Sequence, residues 1–281
     1  MRKQLSVIIP CFNHGEYIHD ALDSIAQSDS DSICEVIIIN DGSTDSRTNE
    51  ILNQININGV RVINKENGGL ASARNRGIEE SNSDYLLMLD SDNKITPDFI
   101  TSFKTLIAEN VDFDMLHGDA VFFGERYGIF KAGPLNIFKI FQNNYIDACT
   151  ILRKQCLIEL GKYDGSMPYM GWEDWDLWIR MALQNKKTIY VDKIFFHYRY
   201  LNNSMIRTIG HKELETKQFL IDKYKNHLID DTYLEKSISD VVNLNIQKMG
   251  IKELLIILLR KIKSRIFKKA EIKHKVKKLW I

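Results

Sequence analysis

The chain has 281 residues, 44% of them hydrophobic and 27% charged, which is the balance of a soluble globular protein with an ample core. A formal net charge of +1 conceals an asymmetry: residues 251–281 hold eleven Lys or Arg and two Glu, leaving 27 basic and 35 acidic side chains in the first 250. The longest apolar run, Leu254 to Leu259, is far short of the ~20 residues that span a bilayer. The four cysteines show neither CxxC pairing nor zinc spacing, and the N-terminus leads directly into a strand rather than a signal peptide. Reduced thiols and a cytoplasmic location are expected, with no nucleic acid among the partners.

Leu5-Ser-Val-Ile-Ile-Pro10 reads as a buried strand ending at a proline, followed by the loop Cys11-Phe-Asn-His-Gly15 and a helix over Tyr17 to Gln27. Glu35 to Asn40 is a second strand of the same type, and Asp41-Gly-Ser-Thr-Asp45 leads into a helix start. Val60 to Asn64 is the third strand. A Gly-rich entry, Asn67-Gly-Gly-Leu-Ala-Ser-Ala-Arg74, then opens a helix that runs to about Ser81. Alternating strands and helices at this spacing imply βαβ units and a mostly parallel sheet, with the loops after the strands along one edge.

The run Tyr85 to Leu89 is apolar throughout and stops at Asp90-Ser91-Asp92, as a central strand does where an α/β sheet binds ligands. Residues i and i+2 of an extended chain project to one side, so Asp90 and Asp92 can share a hard cation, Mg²⁺ or Mn²⁺, with Ser91 turned away. The plain alternative is a solvated loop capping the next helix. Asp41 can accept from a ribose or a base N–H, or serve as an N-cap. Arg74 can pair with a diphosphate, or lie on a solvated helix face. No G-x-G-x-x-G follows the first strand and no P-loop occurs, which speaks against dinucleotide and P-loop folds.

Thr96-Pro97 reads as an N-cap with Pro at the first helical position, opening a helix to about Ala108. Residues 111–131 suggest two or three short strands around Gly118, Gly124 and Gly128. Asn144 to Arg153 returns the chain to the sheet, and Lys154 to Leu160 is a short helix. Tyr169-Met-Gly-Trp-Glu-Asp-Trp-Asp-Leu-Trp-Ile-Arg180 then concentrates tryptophans and carboxylates at a helix start near Glu173. Glu173 and Asp174 suit the first turn through the helix dipole alone, or one of them is a general base. Trp172 can stack on a sugar face, whereas Trp175 and Trp178 read as core. Thr188 to His197 is β-rich. Helices follow over His211 to Asn226, Thr232 to Lys248 and Lys252 to about Leu279. The last of these is basic and amphipathic, suited equally to an anionic membrane surface and to packing on the body.

Five ordered motifs, Val7-Ile-Ile-Pro-Cys-Phe-Asn13, Ile39-Asn-Asp-Gly-Ser-Thr-Asp45, Asn67 to Gly77, Leu89-Asp-Ser-Asp92 and Trp172 to Arg180, together resemble glycosyltransferase family 2, over about residues 4–207. The resemblance implies a GT-A fold and an inverting transfer of a sugar from a nucleotide diphosphate to an acceptor hydroxyl. It implies that Pro10, Phe12, Asn13, Asp41, Asn67, Gly69, Arg74, Asp90, Ser91 and Arg207 bind the nucleotide sugar, with Asp41 at the base and Arg74 near the diphosphate. It further implies a divalent metal on Asp92 and Asp90, catalytic Asp174 with Glu173 beside it, and Trp172 at the acceptor. Two positions depart from the family pattern. Asn93 stands where many members have another acid, and the histidine near Tyr198-Arg199 is His197, just before them, which reads as a buried strand-end residue.

The expected organisation is therefore a GT-A domain over residues 1–210, with residues 1–93 holding the nucleotide and 94–210 the acceptor, and a helical extension over 211–281. A UDP-sugar donor, a glycan or lipid-linked glycan acceptor, and a role in bacterial surface polysaccharide or lipid-linked oligosaccharide assembly at the inner membrane face complete the expectation. A nucleotidyltransferase of similar fold is one rival, although Cys11 to Gly15 lacks the basic residue such an enzyme wants. A non-catalytic sugar- or nucleotide-binding module is the other.

Overall fold

The computed structural model describes residues 5–29, 32–201 and 212–228. Its centre is a nine-stranded sheet. In chain order the strands are β1 (Leu5–Cys11), β2 (Ile33–Asp41), β3 (Val60–Lys65), β4 (Tyr85–Met88), β5 (Lys94–Ile95), β6 (Met115–Gly124), β7 (Gly128–Phe130), β8 (Ile151–Arg153) and β9 (Thr188–Tyr200). They lie in the order β3-β2-β1-β4-β8-β6-β9-β5, with β7 on β6. The half built from β3, β2, β1 and β4 is wholly parallel. Beyond it β8 runs antiparallel to both neighbours, while β6 and β9 pair in parallel.

The helices are α1 (Ile18–Ala26), α2 (Ser46–Gln54), α3 (Leu70–Glu80), α4 (Pro97–Ala108), α5 (Ile137–Gln142), α6 (Lys154–Glu159), α7 (Glu173–Leu183) and α8 (Glu213–Leu228). Every residue of β1 and β4 is buried, because the sheet is covered on both faces. Alternation along β1 divides the core. Val7 and Ile9 pack with Ile18, Leu22, Phe99 and Phe103 on one side, while Ile8 packs with Ile78, Leu177 and Trp178 on the other. Gly77 lets α3 approach β1 closely, since a Cβ there would sit 2.2 Å from Ile8 Cγ2.

Residues 111–131 form two of the expected strands, broken between Gly124 and Gly128, but Gly118 marks no break. β6 runs through Gly118 without turning, and the register with β9 shifts beside it. A Cβ at Gly118 would lie 2.8 Å from the Lys193 carbonyl oxygen, so this glycine answers a close backbone approach within the sheet. The compact body extends to Lys225, with a second unit from Asn226 onward. Asp176, wholly buried on α7, ties the part of α8 before Asn226 to the body: it accepts from Lys223 Nζ at 2.6 Å and from the Tyr224 hydroxyl at 2.7 Å. The expected helices over 232–248 and 252–279, the basic tail and Arg207 lie outside the described residues.

Candidate active site

The loops following β1, β2, β3 and β4 meet the start of α7 in a cleft of about 690 Å³. Pro10, Phe12, Asp41, Asn67, Gly69, Arg74, Asp90, Ser91, Asp92, Trp172, Glu173 and Asp174 all line it. The parallel half of the sheet thus delivers the acid pair and the Gly-rich loop to one hollow, and the distant Glu-Asp motif closes it.

Asp41 is buried and organises the Gly-rich loop. Its Oδ1 accepts from Gly68 N at 3.0 Å and its Oδ2 from Gly69 N at 2.8 Å, with Lys65 Nζ also on Oδ1. The N-cap of α2 is instead Asp45, whose carboxylate accepts from Thr48 N. Gly42, at φ +68°, admits the loop because a Cβ there would sit 2.6 Å from Asn67 N. Asn13 is not among the residues that line the cleft. Its Oδ1 is taken by Thr44 N at 2.8 Å and Asp45 N at 2.9 Å, so it clamps the β2–α2 loop from behind.

Arg74 is not on a solvated helix face. Its side chain is 2% exposed and bridges two acids, Asp90 Oδ1 at 2.7 Å and Glu173 Oε1. Glu173 has its other oxygen on Gly171 N at 2.8 Å, so both oxygens are engaged. The Asp90–Asn93 turn is held from behind. Asn93 Oδ1 accepts from Arg199 N at 2.8 Å, and Arg199 Nε donates to the Asp92 carbonyl at 2.9 Å. The Arg199 guanidinium lies 4.5 Å from the Tyr17 ring centre and 4.4 Å from that of Phe123. Asn93 therefore serves as a clamp on the turn. His197 pairs with Lys94 in the sheet and lies outside the cleft lining.

Asp174 is 7% exposed, and burial together with neighbouring Glu173 holds its carboxyl above the usual range. Asn144 Nδ2 lies 3.2 Å from each of its oxygens, and Trp175 N lies 2.7 Å from Oδ1. Asp147, a cleft acid that sequence reasoning missed, is likewise raised by burial and by the Asp90 charge. Trp172 is 9% exposed and packs on Trp175 at 5.6 Å between ring centres, which leaves little of its face for a sugar. Trp175 and Trp178 are core, each with its indole N–H on a backbone carbonyl. Another cleft wall, also unforeseen, is aromatic: Phe122 meets Phe130 and Tyr198 edge-on, at 6.1 and 5.6 Å. These residues share no local periodic signal; only the β6–β7 hairpin and the β6–β9 pairing assemble them.

Among the described residues no group of three or more His, Cys, Asp or Glu has metal-holding geometry. The acid pair nonetheless fits a cation. Burial first, and then the Asp90 charge, push the Asp92 carboxyl up to about 7, which marks a position short of positive charge. Two carboxylates also match an ion that draws its other ligands from phosphates and water.

Residues 6–151 match the family profile described as glycosyl transferase family 2. The chain belongs to glycosyl transferase family 2. This family-2 chain is 30% identical over 226 residues to the glycosyltransferase GlyA of Streptococcus pneumoniae, covering 73% of itself and 32% of that protein. It is 26% identical over 251 residues to the putative glycosyltransferase EpsH of Bacillus subtilis, covering 83% of itself and 71% of that protein. The chain spans about a third of the length of the first two curated relatives it matches. Its fold resembles residues 1–349 of S. aureus TarS in complex with UDP-GlcNAc, with a TM-score of 0.67, 18% identity, and coverage of 89% of this chain and 77% of that one. The GT-A architecture is thus the fold of this family-2 chain. No helix among its described residues is long and apolar enough to cross a membrane.

Proposed function

We propose that the chain moves a sugar from a nucleotide-diphosphate donor, a UDP-sugar, to an acceptor hydroxyl with inversion at the anomeric carbon. The observation that carries this reading is the meeting of Asp92 and Asp174 in one cleft. A carboxylate pair suited to a phosphate-bound cation and a separate buried acid are the two groups that such a displacement requires.

In this reading Pro10, Phe12 and the loop pinned by Asp41 cradle the nucleotide. The positive end of the α3 dipole, at Leu70, favours the negative diphosphate, the Gly68 and Gly69 N–H groups being taken by Asp41. A divalent ion on Asp92 and Asp90 would supply Lewis-acid stabilisation of the leaving diphosphate. Arg74 fixes the Asp90 carboxylate and cancels part of the acid charge. Asp174 takes the proton from the acceptor hydroxyl as that oxygen attacks, a contribution of ~10²–10⁴-fold for a well-placed base. The faces of Phe122, Phe130 and Tyr198 give the apolar side of an acceptor sugar a stacking surface. The UDP-GlcNAc complex of the similar TarS fold supports a UDP-sugar donor.

The nucleotidyltransferase rival wants a basic phosphate loop after β1, and Pro10, Cys11, Phe12 and His14 supply none at the cleft. We assign the setting to surface glycan or lipid-linked oligosaccharide assembly, with the basic segment 251–281 meeting an anionic membrane surface. Deleting that segment should release the protein from anionic vesicles, and undiminished sedimentation with them would refute the attachment. The central test is a screen of nucleotide sugars, UDP-N-acetylglucosamine among them, with Asp174→Asn alongside. The variant should bind UDP normally and lose transfer; full turnover would overturn the role of Asp174.

A further inference from the structure

Asn144 lies between α5 and β8, in a stretch without helical or strand periodicity, yet its amide is aimed at the most consequential carboxylate of the cleft. The Nδ2 group stands 3.2 Å from Oδ1 and 3.2 Å from Oδ2 of Asp174, astride the carboxylate rather than at one end of it. The Oδ1 of the same amide is buried without a hydrogen-bond partner. A buried carbonyl left unpaired opposes folding, and unsatisfied polar groups of this kind cluster where function demands them. The amide therefore earns its place through what its nitrogen does.

The surroundings of Asp174 explain the need. Glu173 precedes it on α7, Asp147 faces it from the segment before β8, and Tyr163 and Arg74 complete the charged and titratable neighbours. The Arg74 terminal nitrogens are committed to Asp90 and Glu173. Among the described residues, Asn144 is the side chain that hydrogen-bonds the Asp174 carboxylate.

We propose that Asn144 is a positioning residue for proton transfer, whose amide orients the Asp174 carboxylate and favours its ionised form beside Glu173 and Asp147. The inference rests on the reading of Asp174 as the base. Its chemistry needs no co-reactant: the acceptor O–H bond breaks, the proton passes to an Asp174 oxygen, and the oxygen's electron pair forms the glycosidic bond. The amide stabilises only the state before that proton arrives, since an N–H donor favours the charged form. Removing it leaves a base that is stronger but protonated over a wider range of pH.

The test follows UDP release from UDP-N-acetylglucosamine from about pH 6 to about pH 10, across the range where a raised carboxyl titrates. UDP binding by calorimetry reports the integrity of the donor site. Asn144→Ala should move the acid limb of kcat upward by roughly one to two pH units, as loss of a hydrogen bond to a charged group implies. The donor KM should stay within about twofold, and the deficit should be large near neutrality and small at the alkaline end. Asn144→Asp, of the same shape, should move the limb in the same direction and serves as the decisive variant if Asn144→Ala fails to bind UDP. An unmoved limb, or a deficit equal at every pH, would overturn the positioning role. Turnover retained by Asp174→Asn would instead overturn the base assignment beneath it, so the two failures are distinguishable.

Discussion

Arg74 and Glu173, separated by 99 positions in sequence, form a buried ion pair at the floor of the cleft. The other terminal nitrogen of Arg74 holds Asp90 at 2.7 Å. One guanidinium thus ties α3, the end of β4 and the start of α7 together. Breaking a buried pair from one side leaves an uncompensated charge and costs about 3–5 kcal/mol. Arg74→Ala should therefore lower the unfolding midpoint substantially as well as abolish transfer. Glu173→Gln keeps a partner for Arg74 and should cost less. Thermal unfolding of the two variants beside wild type checks the ranking.

Asp92 carries the expected cation dependence. Its carboxyl is raised to about 7 by burial and by Asp90, so the ionised form is strained until a positive charge arrives. Asp92→Asn should bind UDP equally with and without Mn²⁺, whereas wild type should bind more tightly with the metal. Calorimetric titration with and without a chelator separates the two cases. A metal-dependent gain retained in the variant would remove Asp92 from the cation site.

Stability should depend on pH through His117, which lies on β6 away from the cleft lining. Burial lowers its pKa to about 4, despite a hydrogen bond from its Nε2 to the Gly133 carbonyl at 3.0 Å. The unfolded value is about 6.5, so the folded state favours neutral imidazole. A group whose pKa is depressed on folding contributes fully above the unfolded value and loses its contribution as pH falls toward the folded one. The expected loss is up to roughly 3 kcal/mol between pH ~6.5 and ~4. Urea unfolding across that window should show a smaller decline for His117→Gln than for wild type.

The aromatic wall makes a separable prediction about the acceptor. Phe122→Ala removes a ring that packs on Phe130 and Tyr198 but leaves the Asp90–Asn93 turn and the Gly-rich loop intact. Acceptor KM should rise by roughly two- to tenfold, in line with the ~0.5–1.5 kcal/mol of an aromatic contact. UDP affinity should be unchanged, and a parallel loss of UDP binding would move the wall to the donor side.

Local pattern determined much of this protein. The apolar runs of β1, β2 and β4 betrayed strands buried on both faces, and Thr96-Pro97 marked the start of α4, because burial and proline geometry act within a few residues. The ordered motifs brought Asp41, Asp90, Asp92 and Asp174 to attention, and the cleft contains them all. Tertiary structure decided the rest. It paired Arg74 with Glu173, turned Asn13 into a clamp, packed Trp172 against Trp175, and brought Asn144, Asp147, Asp174 and the aromatic wall to the same hollow. Periodicity reports which face of an element is buried; the partner of a particular charge or ring depends on where the chain returns many residues later, and no short-range pattern encodes that.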